Sequence, residues 1–217
     1  MLSHIVFMER IGVDESGKGD YFGYLVIAGA YVDEKTEGKL KVIGVRDSKN
    51  VQDSTCMRLS AKIRKLCPHD IVKISPEKYN KLYGKFDNLN KMLAWGHAKV
   101  IDNMTKKVKC TDVISDKFSE SDDIEALLKE MSRKNPALGK VKLERRHRAE
   151  SDMAVAAASV LARAEYLRTL RMLSRTIGYS LPKGSTHVEQ AKEDIVRMHG
   201  EDVLEFTAKL HFKIGKK

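Results

Sequence analysis

The stretch Ile11-Gly-Val-Asp-Glu-Ser-Gly-Lys-Gly-Asp20 joins an apolar run to two adjacent carboxylates and a glycine-rich turn. The apolar residues predict the end of a buried strand, with Asp14 and Glu15 where the strand gives way to the turn. A sheet edge that exposes such acids can hold a divalent cation, because hard cations prefer oxygen ligands. Acids before a glycine turn are more often simply solvated, so this pair indicates a site only if further acids join it.

The bulk composition favours a basic protein that binds a polyanion. The chain has 217 residues, with 40 Lys and Arg against 30 Asp and Glu, a net charge of +10 and a pI of about 9.4. Nucleic acid is the commonest polyanionic partner, although solubility alone could explain the excess charge. The three cysteines, Cys56, Cys67 and Cys110, lack C-x-x-C spacing and predict reduced core thiols. We find no signal peptide and no apolar run of about 20 residues that could span a bilayer, so we expect a cytoplasmic protein.

The hydrophobic pattern predicts an α/β fold. After the first strand, further strands are predicted at 25–32, 70–75, 112–116 and 141–143, the first of these forming a hairpin with the opening strand. Helices are predicted at about 53–66, 89–104, 122–132, 151–176, 187–199 and 202–210. Strands that alternate with helices after a hairpin indicate a five-stranded mixed sheet flanked by helices. Without a repeat or a linker, we predict one domain over residues 1–217, with about 187–217 as a C-terminal helical extension.

Two more acids are candidates for the same site. Asp116 ends a predicted strand, and Glu150 lies at the start of the longest predicted helix, where the helix dipole favours an ionised carboxylate. Acids are common in first helical turns for that reason alone, and Asp152 could fill the same space if the helix begins later. Acids at separate strand ends can converge in an α/β sheet. Four carboxylates around two cations suit in-line phosphodiester hydrolysis, with Mg²⁺ expected and Mn²⁺ as a substitute.

Several motifs occur in the order found in one known enzyme family. They are Asp14-Glu-Ser-Gly-Lys-Gly-Asp-Tyr-Phe-Gly23, Val45-Arg-Asp-Ser-Lys49, Asp116-Lys-Phe118, Arg148-Ala-Glu150 followed by Ala154-Val-Ala-Ala-Ala-Ser-Val-Leu-Ala-Arg163, and Leu181-Pro-Lys-Gly184 with Ala208-Lys-Leu-His-Phe212. This order, kept over nearly the whole chain, resembles type 2 ribonucleases H, in particular ribonuclease HIII.

The resemblance implies a ribonuclease H-like fold and an endonuclease with a two-metal site. Such an enzyme hydrolyses the RNA strand of RNA/DNA hybrids to 5′-phosphate and 3′-hydroxyl products. Carried over one residue at a time, the catalytic and metal-binding acids are Asp14, Glu15, Asp116 and Glu150.

Substrate-binding residues also follow from the resemblance. The turn Gly17-Lys18-Gly19 would recognise 2′-hydroxyl groups, which distinguish RNA from DNA. Glycines allow the backbone to approach a sugar-phosphate chain, while Lys18 supplies a positive charge. Lys18 replaces the Arg of ribonuclease HII and the Thr usual in HIII. Lys49 and Lys183 are the further predicted substrate contacts.

Two departures from the family shape our expectations. The acid pair comes so early that we expect the catalytic domain only, without the N-terminal substrate-binding domain usual in ribonuclease HIII. The stretch Lys183-Gly-Ser-Thr-His187 lacks the Tyr with which ribonuclease HII cuts at single embedded ribonucleotides, so we predict weak activity there.

Three alternatives stay open. They are a junction enzyme like ribonuclease HII, a catalytically silent module that binds hybrids, and a different two-metal enzyme such as an exonuclease. We expect a monomer whose replication-associated partner, if it has one, is not identified by the sequence.

Overall fold

The computed structural model of the chain describes residues 9–45, 51–121, 123–184 and 187–214. The strands are β1 (Glu9–Ser16), β2 (Leu25–Asp33), β3 (His69–Ile74), β4 (Asp112–Asp116) and β5 (Lys142–Arg146). The helices are α1 (Glu34–Val42), α2 (Asp53–Leu66), α3 (Pro76–Phe86), α4 (Leu89–Lys107), α5 (Asp123–Met131), α6 (Met153–Ile177), α7 (Val188–His199) and α8 (Val203–Thr207).

The strands form a mixed five-stranded sheet, as the sequence predicted. Their order in the sheet is β3-β2-β1-β4-β5. β1 and β2 form the predicted antiparallel hairpin, and β3 is antiparallel to β2. β4 is parallel to β1, with Val13 opposite Ser115, and β5 is parallel to β4. The carboxyl ends of β1 and β4 therefore lie side by side, which brings Asp14 next to Asp116 at one edge of the sheet.

Helix α6 packs directly on the strand that carries the first acids. A Cβ added to Gly12 would lie 2.1 Å from the carbonyl carbon of Ala154, so no larger residue fits there. The alanines at the start of α6 are buried and let its backbone approach the sheet. α4 covers the opposite face of the sheet, where Gly96 fits over Ile27. Both helices thus bring side chains to the end of β1.

Two helices that the sequence analysis missed have weak sequence signals. α1 buries only Leu40 among its residues, so it has no apolar periodicity, and the Asp33 side chain caps its first turn. α3 begins at Pro76, which ends β3 in the sequence pattern but also suits the first turn of a helix, and Ser75 caps it.

The C-terminal extension is helical only in part. After α8 the chain forms an isolated bridge between Ala208 and Phe22, which places the last described residues against the segment that follows the glycine turn. This contact joins the far end of the chain to the predicted site.

The remaining expectations from composition concern thiols and membranes. Cys56, Cys67 and Cys110 are all buried and free, as predicted for core thiols. Among the described residues, no helix is long and apolar enough to cross a membrane.

Candidate active site

Three of the four predicted acids line one pocket at the carboxyl ends of β1 and β4. Asp14, Glu15 and Asp116 border a cavity of about 410 Å³. The rest of its lining comes from the glycine turn and from α6: Ser16, Gly17, Lys18, Gly19, Ser159 and Arg163. The sheet register and the close packing of α6 on β1 therefore produce an acidic pocket next to a glycine-rich turn.

Asp14 is held by its own backbone neighbour and by α6. Its Oδ1 accepts a hydrogen bond from the Glu15 N–H at 2.8 Å, and the Ser159 side chain also hydrogen-bonds to it. Burial, with the added negative charges of Glu15 and Asp116, raises the pKa of Asp14 to about 8. The negative charge gathered here is unfavourable without a compensating cation.

Glu15 is held in its ionised form from two sides. Its Oε1 lies 2.7 Å from Lys18 Nζ, and its Oε2 lies 3.1 Å from His97 Nε2. Burial alone would raise the pKa of Glu15, but His97 and Lys18 outweigh it and lower the pKa to about 2. The two adjacent acids of β1 thus have pKa values that lie far apart.

His97 contacts both strands that carry the acids, β1 and β4, from helix α4. It is completely buried on α4, and its Nδ1 lies 2.9 Å from Ser115 Oγ, one residue before Asp116. The sequence analysis did not single out His97. Its position four residues after Leu93, on the buried face of α4, is the signal that could have found it.

The fourth predicted acid lies beside the pocket. Glu150 belongs to a short 3₁₀ turn, Ala149–Ser151, before α6. The Ala149 N–H donates to Asp116 Oδ1 at 3.3 Å, which attaches this turn to the end of β4. Glu150, itself a described residue, is not among the residues that line the cavity. Its assignment to the site stays a prediction.

Asp152, the alternative fourth acid, has a structural role in this fold. Its Oδ1 caps α6 by accepting from the Ala154 N–H at 2.8 Å, and its Oδ2 pairs with Arg10 Nε at 2.7 Å. α6 begins at Met153, two residues later than predicted. Both oxygens of Asp152 are therefore engaged in holding the helix start.

The pocket carries the oxygen donors that a divalent cation prefers, but not in a ligating arrangement. Within the described residues, no three His, Cys, Asp or Glu side chains stand close enough together to form a ready cation site. Burial alone would lower the pKa of Lys18, but Glu15, Asp116 and Asp14 outweigh it and raise the pKa, so the Lys18 ammonium serves as a local counter-charge. Buried carboxylate oxygens that repel one another are the ligands a hard cation would bring together.

The glycine turn has a conformation that only glycine supports at its first position. Gly17 has a φ of 89°, and a Cβ there would lie 2.2 Å from the Tyr24 carbonyl oxygen. Gly19 is exposed, and nothing stands within 4 Å of an added Cβ. Gly19 thus presents backbone to solvent beside the acidic pocket, as substrate recognition by main-chain groups requires, whereas Gly17 is buried.

Of the two lysines predicted to contact substrate, the structure describes one. Lys183 pairs with Asp53 at the start of α2, and Lys49 lies outside the described residues. Asp53 also pairs with Arg163, 2.8 Å away, whose side chain lines the acidic pocket. Arg163 ends the Ala-rich motif that begins at Ala154, and the motif alone did not indicate a role for it. Asp53 therefore forms ion pairs with two basic side chains, one of which lines the pocket.

Comparison with known proteins identifies the family. The sequence model of the ribonuclease HII family matches residues 11–214, and the chain belongs to this family. Within it, the chain is similar to ribonuclease HIII from Protochlamydia amoebophila (strain UWE25), with 46% identity over 205 residues that cover 94% of this chain and 66% of the relative. The predicted resemblance to type 2 ribonucleases H, most of all to ribonuclease HIII, is confirmed.

Solved structures of relatives confirm the fold. The crystal structure of Bst-RNase HIII in complex with Mn²⁺ superposes with a TM-score of 0.84 at 33% identity, covering 94% of this chain and 67% of that one. Aquifex aeolicus RNase H3 gives a TM-score of 0.75 at 31% identity, covering 94% and 72%. The predicted ribonuclease H-like fold is therefore correct. The chain spans about two thirds of the length of the curated relatives it matches.

Proposed function

We propose that this chain is a metal-dependent endonuclease that hydrolyses the RNA strand of RNA/DNA hybrids to 5′-phosphate and 3′-hydroxyl products. The observation that carries the proposal is the pocket shared by Asp14, Glu15 and Asp116. This pocket lies beside a glycine turn, in a chain that matches ribonuclease HIII relatives over 94% of its length. The basic surface charge adds attraction for a polyanionic substrate.

The acids would hold two divalent cations, Mg²⁺ or Mn²⁺. We assign this role to Asp14, Glu15, Asp116 and Glu150, and cations bound there would activate the attacking water and stabilise the leaving oxygen. Glu150 is the better fourth acid because the oxygens of Asp152 cap α6 and pair with a buried arginine.

Neighbouring side chains would keep the acids in place. His97 fixes one oxygen of Glu15, and Ser159 hydrogen-bonds to Asp14. Preorganised ligand oxygens need less rearrangement when the substrate arrives. Lys18, which pairs with Glu15, would have to give up this ion pair for that oxygen to become a ligand.

Substrate recognition would come from the glycine turn and from nearby cations. Backbone groups of Gly17, Lys18 and Gly19 would contact the 2′-hydroxyls next to the cleaved bond. Lys49 and Lys183 would contact phosphates and position the hybrid without reading its sequence.

A cleavage assay on three duplexes tests the proposal. Internally labelled RNA/DNA hybrid, duplex RNA and duplex DNA are incubated with Mg²⁺, Mn²⁺ or EDTA, using the wild-type chain and the Asp14→Asn variant. Asp202→Asn is a matched control, because Asp202 is exposed and makes no capping hydrogen bond within the described part of α8. We expect internal cuts in the RNA of the hybrid alone, lost with EDTA and with Asp14→Asn but kept in the control.

The other outcomes separate the alternatives. Tight hybrid binding without cleavage would indicate a silent binding module, and products released only from strand ends would indicate an exonuclease.

We further propose that single embedded ribonucleotides are poor substrates. The support is the stretch Lys183-Gly-Ser-Thr-His187, which contains no Tyr. A duplex with four consecutive ribonucleotides should be cut much faster than one with a single ribonucleotide. Equal incision of both would instead favour a junction enzyme like ribonuclease HII.

A further inference from the structure

Lys209 is a buried lysine that has no role in the proposed cleavage reaction. The residue is 0% exposed, and its ammonium donates to main-chain carbonyl oxygens, to Asp20 O at 2.8 Å and to Phe22 O at 3.5 Å. Burying an ammonium is costly even when it is hydrogen-bonded. Burial lowers the pKa of Lys209 to about 7, although Asp20 opposes this shift. A residue kept at such a cost requires a compensating role.

The carbonyls that Lys209 binds belong to the chain that leaves the glycine turn. Its own backbone N–H donates to the Tyr21 carbonyl at 2.8 Å, and the Gly23 N–H donates to the Thr207 carbonyl at 2.9 Å. Residues 207–209 therefore run beside residues 21–23 as a short paired segment. The ammonium adds a third attachment, at Asp20, one residue after the turn.

The C-terminal segment is in turn fixed to α3. Asn80 donates from Nδ2 to the Ala208 carbonyl and accepts from the Leu210 N–H, both at 3.0 Å. The Tyr79 ring, also fully buried, lies 5.7 Å from Lys209 Nζ. Lys209 thus stands between a rigid helix and the flexible turn beside the acids.

We propose that Lys209 is a positioning residue for hybrid recognition, which holds residues 20–22 so that the backbone of the glycine turn stays in place for the 2′-hydroxyl. The inference rests on the proposed function. Glycines make the turn flexible, so its geometry depends on what fastens its ends. Its first end continues β1. Its second end is fastened by Lys209 together with the Gly184 N–H, which donates to Asp20 Oδ1 at 2.6 Å.

The test compares Lys209→Met with Lys81→Met in the full chain. Met keeps most of the lysine stem and removes the ammonium, and Lys81 is an exposed lysine on α3 that pairs with Glu77. Affinity for a labelled RNA/DNA hybrid and for the matching DNA duplex is measured by fluorescence anisotropy with Ca²⁺. Hydrogen exchange of the amides at 19–23, and KM and kcat with Mg²⁺, are measured alongside.

We expect Lys209→Met to weaken hybrid binding about tenfold, because binding must then also order the released turn. The affinity for the DNA duplex should change less than about twofold. For cleavage of the hybrid, KM should rise by a larger factor than kcat falls. Hydrogen exchange of the amides at 19–23 should accelerate, whereas that of the α6 amides should not. If hybrid selectivity and exchange match those of Lys81→Met, the proposal is overturned.

A second variant and a separate readout cover the cases in which Lys209→Met does not fold or the wild-type chain is inactive. If Lys209→Met does not fold, Asn80→Ala, which frees the same segment from α3, should shift selectivity and exchange in the same direction, and no shift would overturn the proposal. If the wild-type chain neither binds nor cleaves hybrid, the proposed function fails, whereas the exchange data still report separately whether Lys209 fixes the turn.

Discussion

Replacing Asp14 by Asn should stabilise the protein in EDTA and remove its response to divalent cations. The change keeps the size of the side chain and the Oδ1 that accepts from the Glu15 N–H at 2.8 Å. It removes a negative charge that is buried beside two other acids. Stability and metal binding should therefore change in opposite directions.

The magnitude follows from the pKa of Asp14. A folded-state pKa of about 8, against an ordinary 3.8, corresponds to an ionisation penalty of about 6 kcal/mol as an upper limit. Water at the pocket mouth and the Lys18 ammonium screen much of it, so we expect Asp14→Asn to gain about 2 kcal/mol at pH 8. Because the folded-state pKa is raised, the penalty is absent below about pH 4. It grows as the pH rises and is complete above about 8, so the gain should be much smaller at pH 5.

Chemical denaturation at pH 5 and pH 8 in EDTA measures this gain, with Asp202→Asn as the control for a lost surface charge. Added Mn²⁺ should raise the midpoint of the wild-type chain and of the control, because a ligand that binds only the folded state stabilises it. The midpoint of Asp14→Asn should not move. The reasoning is refuted if Asp14→Asn is no more stable than the wild-type chain at pH 8, or if Mn²⁺ stabilises both equally.

Four further substitutions test the fold and the site. Gly12→Ala should cost more than about 3 kcal/mol or prevent folding, since its Cβ would overlap the backbone of Ala154; a normal melting temperature would contradict the packing. Glu150→Gln should reduce hybrid cleavage at least about a hundredfold, whereas Asp152→Asn should lower the free energy of unfolding by about 1–3 kcal/mol with a nearly unchanged kcat; the reverse pattern would make Asp152 the fourth acid. Glu165→Gln removes a buried carboxylate that pairs with three basic side chains and should cost about 2–4 kcal/mol in urea denaturation, while hybrid cleavage stays at the wild-type rate.

Local sequence patterns sufficed for the sheet and for most of the acids. Asp14 and Asp116 each end an apolar strand, and the parallel pairing of those strands is what places them together. The long Ala-rich helix and the hairpin could also be predicted, because burial imposes a clear hydrophobic period on each. The strand ends, the hairpin and the helix depend on neighbours in the sequence, whereas the pairing of the two acid-bearing strands does not.

Side-chain contacts between elements that are far apart in the sequence could not be predicted from local patterns. His97 and Ser159 reach the acids from opposite faces of the sheet, and no local pattern marks them as partners of Glu15 and Asp14. The choice between Glu150 and Asp152 depended on where α6 begins, and such boundaries are set by tertiary contacts such as the pair with a buried arginine. The helix α1 was missed because a helix that buries one apolar residue has almost no pattern to detect.

Anomalous diffraction from a crystal soaked in Mn²⁺ and bound to a non-cleavable RNA/DNA hybrid tests the central claim most directly. The account predicts two Mn²⁺ peaks about 4 Å apart, ligated by Asp14, Glu15, Asp116 and Glu150, with the scissile phosphate between the peaks. It would be contradicted by an absence of Mn²⁺ in this pocket, or by a hybrid bound with its RNA strand away from the glycine turn.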